Sequence, residues 1–137
     1  MKIIFIGSVF SSKVLLKKLI DLNAQRTGII SKRKSNFNSD FYDLNPIARA
    51  NKTPSLYSKN INDLKTIEWI KGINPVIIFC FGWSNLMKST ILKIPRMGVA
   101  GFHPSLLPKN RGRHPLIWAK VLGLAESGTF FFNGLRS

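Results

Sequence analysis

The chain has 137 residues, the length of a single domain, and its hydrophobic fraction of 45% is enough to build a buried core. No apolar run approaches the roughly 20 residues that a membrane-spanning helix needs, so we expect a cytoplasmic protein that does not bind membranes. Lysine and arginine number 21 against 6 aspartates and glutamates, a formal net charge of +15. Such a charge attracts polyanions and anionic metabolites, or else belongs to the solvated surface of a lysine-rich protein.

The first half of the chain predicts strands and helices in alternation. Short apolar runs indicate buried parallel strands, and residues that accept from free backbone amides indicate helix starts. In chain order we predict a strand at Lys2–Ile6, a helix capped by Ser11 or Ser12 and running to about Leu22, a strand at Thr27–Ser31, a basic loop at Ser31–Asp40 and a short helix from about Asp40 to Ala50. The apolar face of the first helix is predicted to contain Val14, Leu15, Leu19 and Leu22.

The second half continues the alternation. In chain order we predict a helix capped by Asn60 or Asn62 that buries Leu64, Ile67 and Ile70 and ends near Gly72 and Pro75, a central strand at Val76–Phe81, a turn at Gly82-Trp83-Ser84, a helix at Asn85–Lys93, a strand at Gly98–Phe102, a loop at Pro104–Arg113, a helix from Pro115 to about Leu124 and a strand at Thr129–Phe132. This order predicts an α/β domain with an open, mostly parallel sheet and helices on both faces. Ligands of such sheets bind beyond the carboxyl ends of the strands.

Several patterns argue against particular sites. The first turn, Gly7-Ser8-Val9-Phe10, lacks the glycine-rich fingerprint of dinucleotide-binding proteins, so no dinucleotide cofactor is expected. His103 and His114 have no cysteine or aspartate nearby to complete a set of ligands, so no metal is expected. The single cysteine, Cys80, lies in an apolar run and is expected to be a buried, inert thiol.

The stretch Gly101–Trp118, which reads GFHPSLLPKNRGRHPLIW, is the part of the chain richest in candidate functional residues. His103 follows a predicted strand, where an α/β site belongs, and an imidazole there is either a general acid or base or a hydrogen-bonded structural residue. A basic loop precedes the N-terminus of the next predicted helix, so it is either a phosphate or carboxylate site or a solvated loop. Its basic residues are Lys109, Arg111, Arg113 and His114.

The segment His103–Pro108, followed by Arg111-Gly112 and Pro115, resembles the signature of the formyltransferase family. That family includes methionyl-tRNA formyltransferase, glycinamide ribonucleotide formyltransferase and the sugar-nucleotide formyltransferases. The Ile3–Gly7 strand, Thr53-Pro54 and Phe81-Gly82-Trp83-Ser84 fit the same pattern. The resemblance implies a three-layer Rossmann-like fold in a single N-terminal-type domain over residues 1–137. It also implies a 10-formyltetrahydrofolate donor and an anionic acceptor that carries a primary amine.

The resemblance also assigns site residues. His103 would relay protons and stabilise the developing oxyanion, and the folate would lie against Phe81–Met87. The donor-binding set is Phe81, Gly82, Trp83, Ser84, Leu86 and Met87, and the acceptor-binding set is Ser105, Leu106, Leu107, Pro108, Arg111, Gly112 and Arg113. For Trp83 alone, a packing role in the core is the alternative. The extended form Arg113–Trp118 resembles the sugar-modifying branch at least as much as the tRNA branch.

Two departures from the family pattern bear on activity. The family's asparagine stands two residues before the histidine, where this chain has Gly101, and its aspartate would fall near the end of the chain at Ser137. His103 is therefore the one member of the catalytic triad that the sequence contains. We expect a truncated or frame-shifted domain, incomplete at its C-terminus, whose activity is impaired or absent.

Three classes of function remain open at this point. The first is formyl transfer from a folate to a primary amine, with aminoacyl-tRNA or a nucleotide-linked amino sugar as the acceptor. The second is a non-catalytic fragment that binds a folate or a nucleotide. The third is a basic nucleic-acid binder, for which the sequence offers scattered charges and no recognisable module.

Overall fold

The computed structural model of the protein describes residues 2–22, 28–34, 40–83 and 87–102. The strands are β1 (Ile3–Ile6), β2 (Gly28–Ser31), β3 (Ser55–Tyr57), β4 (Ile77–Phe81) and β5 (Val99–Phe102). The helices are α1 (Phe10–Asp21), α2 (Asn45–Ala50), α3 (Leu64–Ile73) and α4 (Ser89–Leu92). The helix predicted from Pro115 and the strand predicted at Thr129–Phe132 lie outside the described residues.

The described strands form one parallel sheet in the order β3-β2-β1-β4-β5. All four residues of β1 are buried, as expected for a strand covered by helices on both faces. The chain moves outward from β1 to β3 and then crosses back to place β4 on the other side of β1. The strand order therefore reverses between β1 and β4, and this switch point is where open α/β sheets bind ligands.

Alternating side chains of β1 enter two cores on opposite faces of the sheet. Ile4 and Ile6 pack in a cluster with Ile70 of α3 and Ile91 of α4. Phe5 points to the other face, where its cluster contains Leu16 of α1 and Leu44 and Ala48, which lie at and within α2. The predicted parallel α/β sheet with helices on both faces is thus confirmed.

The predicted apolar face of α1 was wrong at two positions. Val14 is 49% exposed and Leu22 is 67% exposed, whereas Ser12 and Leu16 are completely buried. Residues four apart lie on one face of a helix, so Ser12 and Leu16 define the buried stripe. The hydrophobic spacing missed this stripe because a serine occupies one of its core positions.

The boundaries of α3 also differ from the prediction. Asp63, and not Asn60 or Asn62, caps the helix, since its carboxylate accepts a hydrogen bond of 2.8 Å from the Thr66 amide. Leu64 stands in the first turn and is 71% exposed, so it does not share the buried face with Ile70. The helix continues through Gly72 and ends at Asn74, whose φ of 58° is a left-handed conformation that asparagine tolerates.

Strand β3 was not predicted. It has three half-buried residues and follows Pro54, so neither a long apolar run nor clear alternation marks it. Its pairing with β2 begins at the proline itself, whose carbonyl accepts a hydrogen bond of 3.0 Å from the Ile29 amide. Among the helices within the described ranges, none is long and apolar enough to cross a membrane.

The cap of α3 predicts a pH-dependent contribution to stability. Hydrogen bonds from Thr66 hold the pKa of the Asp63 carboxyl below its ordinary value. A group whose pKa is lowered by folding stabilises the fold above the pKa of the unfolded chain, and this contribution disappears as the pH falls through the folded value. We expect Asp63→Ala to lower the free energy of unfolding by about 1 kcal/mol at pH 7, measured by urea denaturation.

The difference between Asp63→Ala and the wild type should shrink as the pH falls below about 4. Asp21→Ala, at the last residue of α1, is the control and should change stability little, because an acid at a helix C-terminus gains nothing from the helix dipole. A loss at Asp63 that stays constant from neutral to acidic pH would contradict the assignment of the cap.

Candidate functional site

The loops after β1 and β4 meet at the switch point of the sheet. The Ser8 amide donates a hydrogen bond of 3.2 Å to the Gly82 carbonyl, and the Ser8 hydroxyl donates to the same oxygen at 3.3 Å. We call residues Phe81–Trp83 the β4 turn. These bonds join the β4 turn to the end of β1, so the two loops are in direct contact at the switch point.

Ser12 makes a second connection between α1 and the β4 turn. Its fully buried hydroxyl donates a hydrogen bond of 2.6 Å to the Phe81 carbonyl and accepts one of 3.2 Å from the Val9 amide. The bond from Val9, the N-cap residue, is one half of a capping box, in which a side chain at the third helical position satisfies the cap amide. One hydroxyl therefore both starts α1 and holds the end of β4.

Two glycines allow this close approach. An added Cβ at Gly7 would lie 2.5 Å from both the Phe81 carbonyl oxygen and the Ser12 hydroxyl. An added Cβ at Gly82 would collide with Ser12 and with the Val9 side chain. Gly82 also has a φ of 77°, in the region that side chains disfavour. Both positions therefore require glycine.

The N-terminus of α1, where a Rossmann fold holds the phosphates of a dinucleotide, is covered by another part of the chain. The Phe10 amide donates a hydrogen bond of 2.9 Å to the Asp40 carbonyl, and the Tyr42 amide donates one of 2.8 Å to the Ser8 carbonyl. Val9 and Phe41 form an antiparallel bridge between these bonds. The amides of Val9 and Phe10 are thus satisfied within the protein.

The residues predicted to bind the donor lie at the end of β4 and before α4. The half-buried Phe81 ring stacks on Phe79, with ring centroids 6.1 Å apart. Trp83 is 2% exposed and belongs to the core cluster, against which the partly buried Met87 also packs. The structure thus places the Phe81 side chain against the Phe5 cluster on one face of the sheet, and Trp83 and Met87 in the Ile4 cluster on the other face, with Gly82 between them in the chain. Ser84 and Leu86 lie outside the described residues.

Trp83 combines burial with two polar features. Its indole Nε1 is buried, and none of the residues that the structure describes provides it with a hydrogen-bond partner, a rare state for a native N–H group. The Lys32 Nζ lies over its ring, 4.8 Å from the centroid, at cation–π distance. Burial lowers the pKa of the Lys32 ammonium. Lys32 belongs to the predicted basic loop at Ser31–Asp40, and it follows β2 directly at the carboxyl edge of the sheet.

Gly101 has no room for a side chain. It pairs with Cys80 across β4 and β5, and an added Cβ would lie 2.7 Å from the Cys80 carbonyl oxygen. The position at which the family pattern has asparagine is therefore closed by the backbone of β4. His103 lies outside the described residues, as does the whole acceptor-binding set, Ser105, Leu106, Leu107, Pro108, Arg111, Gly112 and Arg113.

Within the described ranges, no group of three or more histidine, cysteine, aspartate or glutamate side chains comes together in an arrangement that could hold a metal. Cys80 packs against the core cluster, and burial raises the pKa of its thiol to about 12. A thiol of that kind is neither a nucleophile nor a ligand at neutral pH.

Residues 1–132 match the family model described as formyl transferase. The chain belongs to the formyl transferase family. The resemblance seen in the sequence is thereby confirmed, and with it membership of a family of one-carbon group transferases.

Relatives of this formyl transferase chain include two kinds of protein. It is 30% identical over 132 residues to a methionyl-tRNA formyltransferase of Clostridioides difficile (strain 630), covering 93% of this chain and 43% of that protein. It is 44% identical over 77 residues to the bifunctional polymyxin resistance protein ArnA of Wigglesworthia glossinidia brevipalpis, covering 56% of this chain and 12% of that protein. The chain thus spans less than half the length of these two relatives.

Solved structures share its fold. The structure of phosphoribosylglycinamide formyltransferase from Bacillus halodurans matches with a TM-score of 0.60 at 14% identity, over 90% of this chain and 66% of that one. Glycinamide ribonucleotide transformylase 1 from Geobacillus kaustophilus matches with a TM-score of 0.56 at 21% identity, over 90% of this chain and 69% of that one. At these identities the likeness concerns the fold alone.

The packing at Gly82 predicts a large effect of a single methyl group. We expect Gly82→Ala to lower the free energy of unfolding by about 2–5 kcal/mol, because it combines a positive φ with overpacking against Ser12 and Val9. Gly72→Ala is the matched control. No atom lies within 4 Å of its added Cβ in α3, so alanine there should stabilise by about 0.5–1 kcal/mol. Equal effects of the two substitutions in thermal unfolding would contradict the assigned geometry.

The environment of Cys80 predicts a slow thiol. With a pKa of about 12, the folded protein at pH 8 should react with a disulfide reagent about a thousandfold more slowly than the unfolded chain. Because Cys80 is the single cysteine, the colour released by Ellman's reagent reports this residue alone. The same protein in denaturant is the control, and comparable rates in the two states would show that the thiol is accessible and acidic.

Proposed function

We propose that residues 1–137 form one formyl transferase domain that binds 10-formyltetrahydrofolate and passes its formyl group to a primary amine. The family match over residues 1–132 carries this proposal. The β4 turn at the switch point supports it, because this is where an open parallel sheet binds a ligand.

The donor site of the proposal is the segment Phe81–Met87. A flat heterocycle binds best to a concave surface of aromatic and apolar groups with a few fixed polar atoms. Phe81 and Met87 supply half-buried apolar surface from the two faces of the sheet, and Gly82 supplies half-buried backbone between them. Trp83 belongs to the core against which Met87 packs, and Lys32 places a positive charge over its ring. Ser84 and Leu86 enter the proposal from the sequence.

His103 is the proposed catalytic residue. The donor supplies the formyl carbon, and attack by the acceptor amine places negative charge on the formyl oxygen. His103 would stabilise that charge and carry the amine proton towards the departing folate nitrogen, so that proton and leaving group balance. A hydrogen-bond donor aimed at such an oxyanion is typically worth about 10²–10³ in rate. Gly101 supplies no such donor, and we therefore propose a rate well below that of a complete site.

The proposed acceptor is anionic. Lys32, Arg33 and Lys34 follow β2 at the ligand-binding edge, and the Arg33 guanidinium lies 4.3 Å from the Tyr57 ring centroid. The proposed acceptor-binding set in residues 105–113 adds two arginines. Aminoacyl-tRNA is the first candidate, since one relative is a methionyl-tRNA formyltransferase. A nucleotide-linked amino sugar is the second, since Arg113–Trp118 resembles the sugar-modifying branch.

Calorimetry and a transfer assay test the proposal together. We expect 5-formyltetrahydrofolate, a stable isomer of the donor, to bind the 137-residue chain in a one-to-one complex. His103→Asn should retain that binding and abolish the slow formyl transfer of the wild type. Absence of folate binding to the wild type would overturn the proposal, and binding without transfer to any amine would replace it with the non-catalytic folate-binding alternative.

The acceptor is identified in the same assay by parallel reactions. One contains methionyl-tRNA, and the other contains a nucleotide-linked amino sugar, each with 10-formyltetrahydrofolate. Formylation confined to one reaction identifies the acceptor class. Transfer to neither, by a chain that binds the folate, excludes both.

A further inference from the structure

Ser12 is a fully buried hydroxyl to which the proposed reaction assigns no role. It lies in the first turn of α1, and it hydrogen-bonds to a carbonyl 69 positions away in the chain. A helix start does not require this long-range bond, since a side chain at the third position completes a capping box by contacting the cap residue alone. The bond to Phe81 therefore needs a separate explanation.

The segment from β1 into α1 holds two successive carbonyls of the β4 turn. Ser12 donates to the Phe81 carbonyl at 2.6 Å, and Ser8 donates to the Gly82 carbonyl through its amide at 3.2 Å and through its hydroxyl at 3.3 Å. Ser8 is 1% exposed and Ser12 is completely buried, so the bonds of both serines are partly shielded from water. Hydrogen bonds in such surroundings fix geometry more strongly than exposed ones.

The β4 turn has little freedom to move away from these bonds. A Cβ at Gly7 would lie 2.5 Å from Phe81, and the space around Gly82 is filled by Ser12 and Val9. The turn is thus held in one conformation by contacts from a part of the chain that the proposed donor site does not include.

We propose that Ser12 is a positioning residue for the donor site: its hydroxyl holds the Phe81 carbonyl and so fixes the β4 turn in the conformation that binds the folate. This inference rests on the proposed function. A binding loop held in its bound conformation before the ligand arrives avoids the cost of ordering on binding. Without the Ser12 hydroxyl, the β4 turn must be ordered when the folate binds, and the free energy of that ordering lowers the affinity.

Donor affinity measures this effect directly. Ser12→Ala should raise the Kd of 5-formyltetrahydrofolate about tenfold, equivalent to about 1.4 kcal/mol, at a temperature where the variant is fully folded. Ser11→Ala is the matched control, because Ser11 is the neighbouring serine of α1 and makes no hydrogen bond to Phe81 or Gly82 among the described contacts. Its Kd should equal that of the wild type.

A merely structural role for Ser12 would lower the melting temperature and leave the Kd of the folded variant unchanged, and that result would overturn the inference. If Ser12→Ala does not fold, Ser8→Ala provides the test. It removes the weaker hydroxyl bond to Gly82 but keeps the amide bond, and we expect about a threefold rise in Kd. An unchanged Kd in Ser8→Ala would then overturn the inference. Failure of the wild type to bind the folate would instead overturn the proposed function.

Discussion

The close approach between the first turn of α1 and the end of β4 is the constraint on which this site depends. The chain leaves adjacent parallel strands at the same edge of the sheet. Here α1, which follows β1, contacts the end of β4 through the hydrogen bond from the Ser12 hydroxyl to the Phe81 carbonyl. Glycine at positions 7 and 82 follows from that contact, because any Cβ would occupy the space of the hydrogen bond. The segments that meet at the switch point are thus joined directly by buried polar contacts.

The N-terminus of α1 differs from that of a dinucleotide-binding Rossmann fold. In a dinucleotide site the amides that start the first helix face the phosphates. Here Asp40–Tyr42 crosses that helix end, and the Asp40 carbonyl accepts from the Phe10 amide, while the Val9 amide donates to the Ser12 hydroxyl. The cations Lys32 and Arg33 reach the carboxyl edge of the sheet from β2, each over an aromatic ring.

The sequence predicts the strands of this fold better than its helix faces. Strands β1, β2, β4 and β5 are apolar runs and lie within one residue of their predicted bounds, whereas β3 is too short and too polar to show a pattern. The prediction for the buried face of α1 was wrong because the polar residue Ser12 occupies a core position, where its hydroxyl donates a hydrogen bond to the Phe81 carbonyl. The family motif located the β4 turn in the sequence. Its hydrogen-bond partner Ser12 lies 69 residues away in the chain, and no local pattern indicates that contact.

At Gly101 the chain departs from the family motif, and the backbone leaves no room for a side chain there. In the sequence, glycine stands where the family motif has asparagine, and a single substitution would restore the motif. In the structure, β5 lies so close to β4 that a Cβ at this position would be 2.7 Å from the Cys80 carbonyl oxygen. A side chain could return only if the two strands separated, and their separation would disturb the pairing of Phe81 with Phe102. A side chain at position 101 and the present spacing of β4 and β5 therefore exclude each other.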